Sequence, residues 1–222
     1  KYMTPVILLT DGYIATSSEP WRLPDVDALP DISVSFASIE PGETFLPYLR
    51  DPSTLARPWA IPGQPGLEHR VGGLEKDATT GNVSYGPDNH ETMTEVRARK
   101  IAGIADDIPD VEVHGQGSDL LVLGWGSTYG AIRTAVNRVR SSGRDVAHAH
   151  LRYINPFPSN LGEMLASYDR VLIPEINTGQ LSRLIRAEYL VPTIGYNRVQ
   201  GLPIKAREIE AKIHEILDGE ES

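Results

Sequence analysis

Leu120-Leu121-Val122-Leu123-Gly124-Trp125-Gly126-Ser127-Thr128-Tyr129-Gly130 is the stretch that decides the fold. Four aliphatic residues without polar alternation describe a strand covered on both faces, as in a parallel sheet. The glycines then allow a sharp turn. Beyond it, Ile132, Ala135, Val136 and Val139 recur at i, i+3, i+4 and i+7, the stripe of an amphipathic helix, and Gly143 stands where a helix C-terminus needs a left-handed residue. The pattern repeats downstream. A strand is expected from Val146 to Ile154, a short helix at Leu161, Met164 and Leu165, and a strand at Val171-Leu172-Ile173. A helix at Leu181, Leu184 and Ile185, a strand from Thr193 to Tyr196 and a closing helix at Ile209, Ile213, Ile216 and Leu217 complete it. Strands and helices alternating over short connections predict an α/β fold, a parallel sheet covered on both faces by right-handed crossovers.

The first half is less regular. Val6-Ile7-Leu8-Leu9, closed by Thr10-Asp11-Gly12, reads as a buried parallel strand, and Ile32-Ser33-Val34-Ser35-Phe36 as a second. Two strands do not make a stable sheet, so about the first forty residues are expected to be the tail of a domain that begins elsewhere. Fourteen Gly and Pro fall between Pro41 and His90, which excludes long helices and central strands there. Phe45, Tyr48, Trp59, Ile61 and Leu67 are too apolar for a free linker, so an extended arm packed on a surface is expected. A helix is predicted from Asp88, with Asn89 as its cap, Met93, Val96, Ile101, Ile104 and Ile108 on one face, and Pro109 as its end.

Composition narrows the function. The 222 residues carry 21 Lys+Arg against 30 Asp+Glu, a net charge of -9, which offers no basic footprint for nucleic acid. The deficit is concentrated: residues 1–110 hold 9 basic and 17 acidic side chains, residues 111–222 hold 12 and 13. No apolar run reaches the roughly 18–20 residues of a membrane span. With no cysteine, the chain has no disulfide, no thiolate zinc site, no thiolate nucleophile and no cysteine-held iron–sulfur cluster.

Several motifs invite chemistry, each with a plainer alternative. The Gly124–Gly130 turn could hold a phosphate on backbone amides. Trp125 is bulky there, however, and the following strand ends in His150-Leu151-Arg152-Tyr153-Ile154-Asn155 without an acid for a ribose. Ser127 lacks the Gly-x-Ser-x-Gly elbow and reads as a helix cap. His148 and His150 share a strand face but have no third metal ligand at a supporting spacing. Glu68 and His69 are adjacent in a flexible stretch that could serve as an acid–base pair or a partner contact. Glu175 and Asn177 follow a strand at the carboxyl edge of the sheet, where ligands bind, or they cap the next helix; the sequence leaves both open.

Val6 to Ile14, Gly66-Leu67-Glu68-His69, Arg97-Ala98-Arg99-Lys100 and Pro174-Glu175-Ile176-Asn177-Thr178-Gly179-Gln180-Leu181, in this order, resemble the C-terminal part of the α subunit of 2-oxoacid:ferredoxin oxidoreductases, most like the 2-oxoglutarate type. The second half is similar to the transketolase C-terminal domain. The resemblance implies three parts. Residues 1–40 are the remnant of a domain of the kind that holds a thiamine pyrimidine, 41–115 an arm and connecting helix, and 116–222 the transketolase-like domain. It also implies a cytoplasmic heteromer that decarboxylates a 2-oxoacid, reduces ferredoxin and releases an acyl-coenzyme A. Thiamine diphosphate, Mg2+ and an iron–sulfur cluster would be held mainly by a β subunit, and this chain alone would bind none. The family's Tyr-Pro-Ile-Thr-Pro and Arg-x-Gly-Pro-Ser-Thr-Gly-x-Pro-Thr stretches are not among these residues, so no catalytic residue carries over. Asp11, Glu68, His69, Glu175 and Asn177 are the candidates for lying near a site, no metal ligand is expected, and the isolated chain is expected to be inactive. A stand-alone nucleotide-binding or structural interaction module of Rossmann-like fold is the competing reading.

Overall fold

The computed structural model describes residues 1–115, 117 and 119–219. It divides into two packed units, one of residues 1–7 and 20–107, the other of residues 8–19 and 108–219 as far as described. Gln116, where the expected third part begins, lies outside the described residues, as do 220–222.

The second unit is the α/β domain. Its strands are β1 (Val113–His114), β2 (Leu120–Trp125), β3 (Ala147–Leu151), β4 (Arg170–Glu175) and β5 (Thr193–Asn197), in the sheet order β1-β3-β2-β4-β5. Four strands are parallel, as expected, with Leu123 level with Ala149 of β3 and Leu121 with Val171 of β4. The sheet is nevertheless mixed. β1, which the sequence did not announce, runs antiparallel to β3 with His114 opposite His148. β3 stops at Leu151, three residues short of the expected end.

Two helices cover each face. Helices α3 (Tyr129–Ser141) and α6 (Ala206–Leu217) pack Ile132, Val136, Ile209 and Ile213 onto Leu120, Val122 and Leu172. On the other face, α4 (Leu161–Ala166) and α5 (Gln180–Tyr189) pack Leu161, Leu165, Leu181 and Ile185 onto Leu121, Leu123 and Ile173. Successive residues of β2 thus serve opposite cores, and so Leu120 to Leu123 shows no polar alternation. Gly143 ends the α3 turn at φ +86°, the left-handed conformation predicted for it.

The residues leading to Asp11 correct an expectation. Val6 to Leu9 forms no strand; Ile7 and Leu8 are 82% and 86% exposed, and Asp11 leads into a five-residue helix, α1 (Gly12–Thr16). A buried parallel strand needs neighbours on both sides, and among the described residues none pairs with it.

The first unit is mostly irregular, fixed by side-chain-to-backbone hydrogen bonds. Asp51 accepts from the backbone amides and hydroxyls of Ser53 and Thr54, led by the Ser53 hydroxyl at 2.6 Å, which holds its carboxyl down at about 2. Asp77 likewise accepts from the Thr79 and Thr80 amides and the Thr80 hydroxyl. The expected strand at Ile32–Phe36 reduces to one bridge between Phe36 and Trp59. Helix α2 (Pro87–Ala102) forms with Met93 buried, but it ends short of the expected Pro109, passing into a 3-10 turn over Gly103–Asp107 that carries Ile104, and Asn89 does not cap it. Gly86 takes the cap position and Pro87 the first turn, where a missing N–H costs nothing. Asn89 instead pins the helix to the arm: its side chain accepts from Ala78 N–H at 3.0 Å and donates to the Lys76 carbonyl at 2.9 Å.

Candidate functional site

In an open α/β sheet the crevice for a ligand opens at the carboxyl ends of strands where the order reverses. Here the chain leaves β2, forms β3 on one side of it and β4 on the other, so the switch point lies at Trp125-Gly126-Ser127. Gly124 is there for packing. A Cβ on it would stand 2.5 Å from Ile132 Cδ1 and 3.1 Å from both Thr128 Oγ1 and His150 Nδ1. Gly126, at φ +58°, makes the left-handed step of the turn.

Asp11 comes to this point. Its carboxylate accepts a hydrogen bond from the Ser127 N–H at 3.2 Å. An amide that could have held a phosphate is therefore engaged by a carboxylate of the same unit, which argues against the turn as a phosphate cradle. Ser127 does not cap α3 through its side chain either. Thr128 braces the turn, its hydroxyl donating to the Trp125 carbonyl at 2.8 Å and accepting from the Trp125 N–H at 3.3 Å.

Beside the turn, Tyr129 stacks against two histidines of β3, with ring centroids 5.5 Å from His148 and 5.1 Å from His150. His148 is 2% exposed. Burial, with His150 nearby, pushes its imidazole down to about 3; burial and Arg152 push His150 down to about 4. Both rings are neutral at pH 7. Among the described residues, His148 Nε2 and His150 Nδ1 have no hydrogen-bond partner. Among the described residues no three His, Asp or Glu side chains gather in a way that could hold a metal.

Glu175 and Asn177 both cap α5. Glu175, 0% exposed, accepts from the Leu181 N–H at 2.9 Å and the Ser182 N–H at 3.0 Å. Asn177 Oδ1 accepts from the Gly179 and Gln180 amides at 2.8 and 2.9 Å. Two acceptors on successive amides of one helix start satisfy four donors that otherwise lack partners. The carboxylate of Glu175 is thus enclosed, with both oxygens engaged.

Glu68 and His69 lie in the first unit and do not engage each other. Glu68 accepts from the Gly66 N–H at 2.8 Å, while His69 Nδ1 lies 2.8 Å from the Leu67 carbonyl and its ring meets Phe45 edge-on at 5.4 Å. His69 borders a cavity of about 240 Å³ together with Arg57 and Arg70. Arg57 was not singled out in the sequence, where nothing but proximity in space sets it apart.

Residues 118–209 match the family model of the pyruvate:ferredoxin oxidoreductase core domain II. The chain is 54% identical over 221 residues to the 2-oxoglutarate oxidoreductase subunit KorA of Mycobacterium tuberculosis, covering 99% of this chain and 33% of that one. It is 30% identical to the α subunit of 2-oxoacid:ferredoxin oxidoreductase 2 of Aeropyrum pernix, covering 100% of this chain and 35% of that one. A solved 2-oxoglutarate:ferredoxin oxidoreductase from Magnetococcus marinus, with 2-oxoglutarate, coenzyme A and succinyl-CoA bound, superposes with a TM-score of 0.89. That match is at 32% identity, over 98% of this chain and 38% of that one. The chain spans about a third of the length of the curated relatives it matches most fully.

Proposed function

We propose, from a chain whose resemblance to the α subunits of 2-oxoacid:ferredoxin oxidoreductases runs along nearly its whole length, that these residues form the C-terminal part of such a subunit. The enzyme would decarboxylate 2-oxoglutarate, pass the resulting electrons to ferredoxin and transfer the acyl group to coenzyme A. The observation that carries this reading is the 54% identity to a 2-oxoglutarate oxidoreductase subunit over 99% of the chain.

Within that enzyme the chain scaffolds. Thiamine diphosphate supplies, when bound, the acceptor for the electron pair left by decarboxylation. The donors of this chain do not fit the cofactor's metal or the cluster: there is no cysteine, and no cluster of carboxylates or imidazoles among the described residues. In this reading a β subunit would hold those groups. On the same reading 1–40 complete the pyrimidine-side domain, 41–115 bridge, and 116–222 brace subunit contacts. The apolar side chains of Val6, Ile7, Leu8, Trp21 and Leu23 are exposed in this chain, which suits burial against the remaining subunit mass. Among the described residues no helix is long and apolar enough to cross a membrane; a cytoplasmic location is part of the proposal.

Asp11 is the residue proposed to lie nearest the shared cleft, because it stands at the switch point of the sheet. The test is reconstitution of the complete α subunit with its β partner, followed by ferredoxin reduction with 2-oxoglutarate or pyruvate in the presence of coenzyme A. Turnover selective for 2-oxoglutarate is expected. Failure to assemble, or selectivity for pyruvate, would reject the reading. In the same assay, unchanged turnover and assembly in Asp11→Ala would remove that residue from the site.

A further inference from the structure

The first unit contains a second, larger cleft, of about 470 Å³, whose wall includes Arg50, Arg57 and Lys100. In a chain of net charge -9 this is an unusual concentration of positive charge. These three residues are 7 and 43 positions apart in sequence, so no motif announces them. The arm and helix α2 bring them together.

None of the three is neutralised. Arg50 donates to the Leu55 carbonyl at 3.0 Å, and Lys100 to the Met3 carbonyl at 3.1 Å. Both arginines sit over the Tyr48 ring, Arg57 at 4.5 Å and Arg50 at 5.9 Å from its centroid. Among the described residues, no carboxylate lies within ion-pair distance of any of them. Glu75, on the same wall, is already engaged by His90 at 2.7 Å and Arg97 at 3.1 Å. Burial and the neighbouring Arg57 lower the Arg50 pKa, and burial with Arg50 and Arg57 lowers that of Lys100. The cations therefore repel one another across a partly desolvated space.

Such an arrangement is costly unless an anion relieves it. Two guanidinium forks match the oxygens of a phosphate or carboxylate, and an ammonium adds a point charge. A phosphate monoester carries close to two negative charges at neutral pH, which answers three crowded cations better than a single carboxylate does. A cleft of this size also exceeds the need of an inorganic ion and falls in the range of small-molecule sites. Met3, Leu74, Met93 and Tyr48 line the same cleft beside the cations.

We propose that this cleft binds the phosphate monoester end of a small organic molecule, held by Arg50, Arg57 and Lys100. The site is independent of the oxidoreductase reading: it rests on the first unit alone and stands or falls without reference to turnover.

Isothermal titration of the full chain with AMP tests it, with inorganic phosphate and glutarate as comparison ligands. AMP is expected to bind once per chain, more tightly than either comparison and more weakly as salt rises. Lys100→Gln and Arg57→Ala should each weaken binding about tenfold, the scale of one charge-assisted contact. Arg57→Lys, which retains charge and loses the fork, should fall between Arg57→Ala and the parent. Circular dichroism checks that each variant is folded, and the conservative Arg57→Lys and Lys100→Gln keep the test open should Arg57→Ala unfold. Absence of AMP binding, tighter binding of glutarate, or AMP affinity unchanged in both Arg57→Lys and Lys100→Gln would overturn the proposal.

Discussion

Replacing Glu175 separates a structural carboxylate from a catalytic one. Its two oxygens accept from the Leu181 and Ser182 amides at 2.9 and 3.0 Å, in full burial. A charged acceptor at a helix start is favoured by the dipole as well as by the hydrogen bonds. Glu175→Ala leaves two donors without partners and opens a small void, and at about 1–3 kcal/mol for each stranded group it should destabilise the second unit by about 3–5 kcal/mol. Glu175→Gln keeps one acceptor but turns an NH2 toward the other amide, so a loss of about 1.5–3 kcal/mol is expected. The assay is urea unfolding followed by the fluorescence of Trp125, which lies in the second unit, in a background where Trp21 and Trp59 are phenylalanine. A loss below about 1 kcal/mol in Glu175→Ala would refute the capping account. If turnover of the reconstituted enzyme then fell while stability held, the carboxylate would have to be reassigned to chemistry.

Three further perturbations test other parts of the structure. His148 and His150 are held neutral, near 3 and 4, so the unfolded chain binds more protons than the folded one between those values and the ordinary 6.5. Stability of the second unit is therefore full above about pH 6.5 and falls with acid, by up to about 2 kcal/mol for each ring at pH 5, and less for the more exposed His150. Unfolding curves of His148→Phe against pH should be flatter than those of the parent. Gly124→Ala forces a methyl to within 2.5 Å of Ile132 Cδ1 and should cost about 1–3 kcal/mol in the same unfolding assay, with part of the loss recovered by Ile132→Val. Asn89→Ala removes the two hydrogen bonds that Asn89 makes to the arm and should raise amide exchange at Ala78 by about tenfold or more, with little change in the second unit.

Legibility in the sequence followed burial. Leu120 to Leu123 and Val171 to Ile173 face a core on both sides, so composition alone disclosed them, and the four parallel strands and their helices follow. Val6 to Leu9 has the same composition, yet among the described residues no strand pairs with it; an apolar run states a need for neighbours and does not supply them. β1 has two residues, too few to show a period. In the arm, Asp51 and Asp77 fix turns through side-chain geometry that periodicity does not sense. The candidate site divides in the same way. Asn177 before a helix was legible as a possible cap, but the role of Glu175 depended on where two amides point. The gathering of Arg50, Arg57 and Lys100 depended on the path of an irregular chain.

The two margins of the sheet also limit how this domain can meet other proteins. β5 pairs with β4 along one side, and it is five residues long, preceded by Pro192 and followed by Pro203. At the opposite margin stands β1, only two residues in length and reversed in direction. Neither border offers a long, flat row of backbone groups on which a foreign strand could zip. Association must then run through side-chain surfaces whose composition evolution can tune residue by residue. The sheet is in this way protected from recruiting foreign strands indiscriminately.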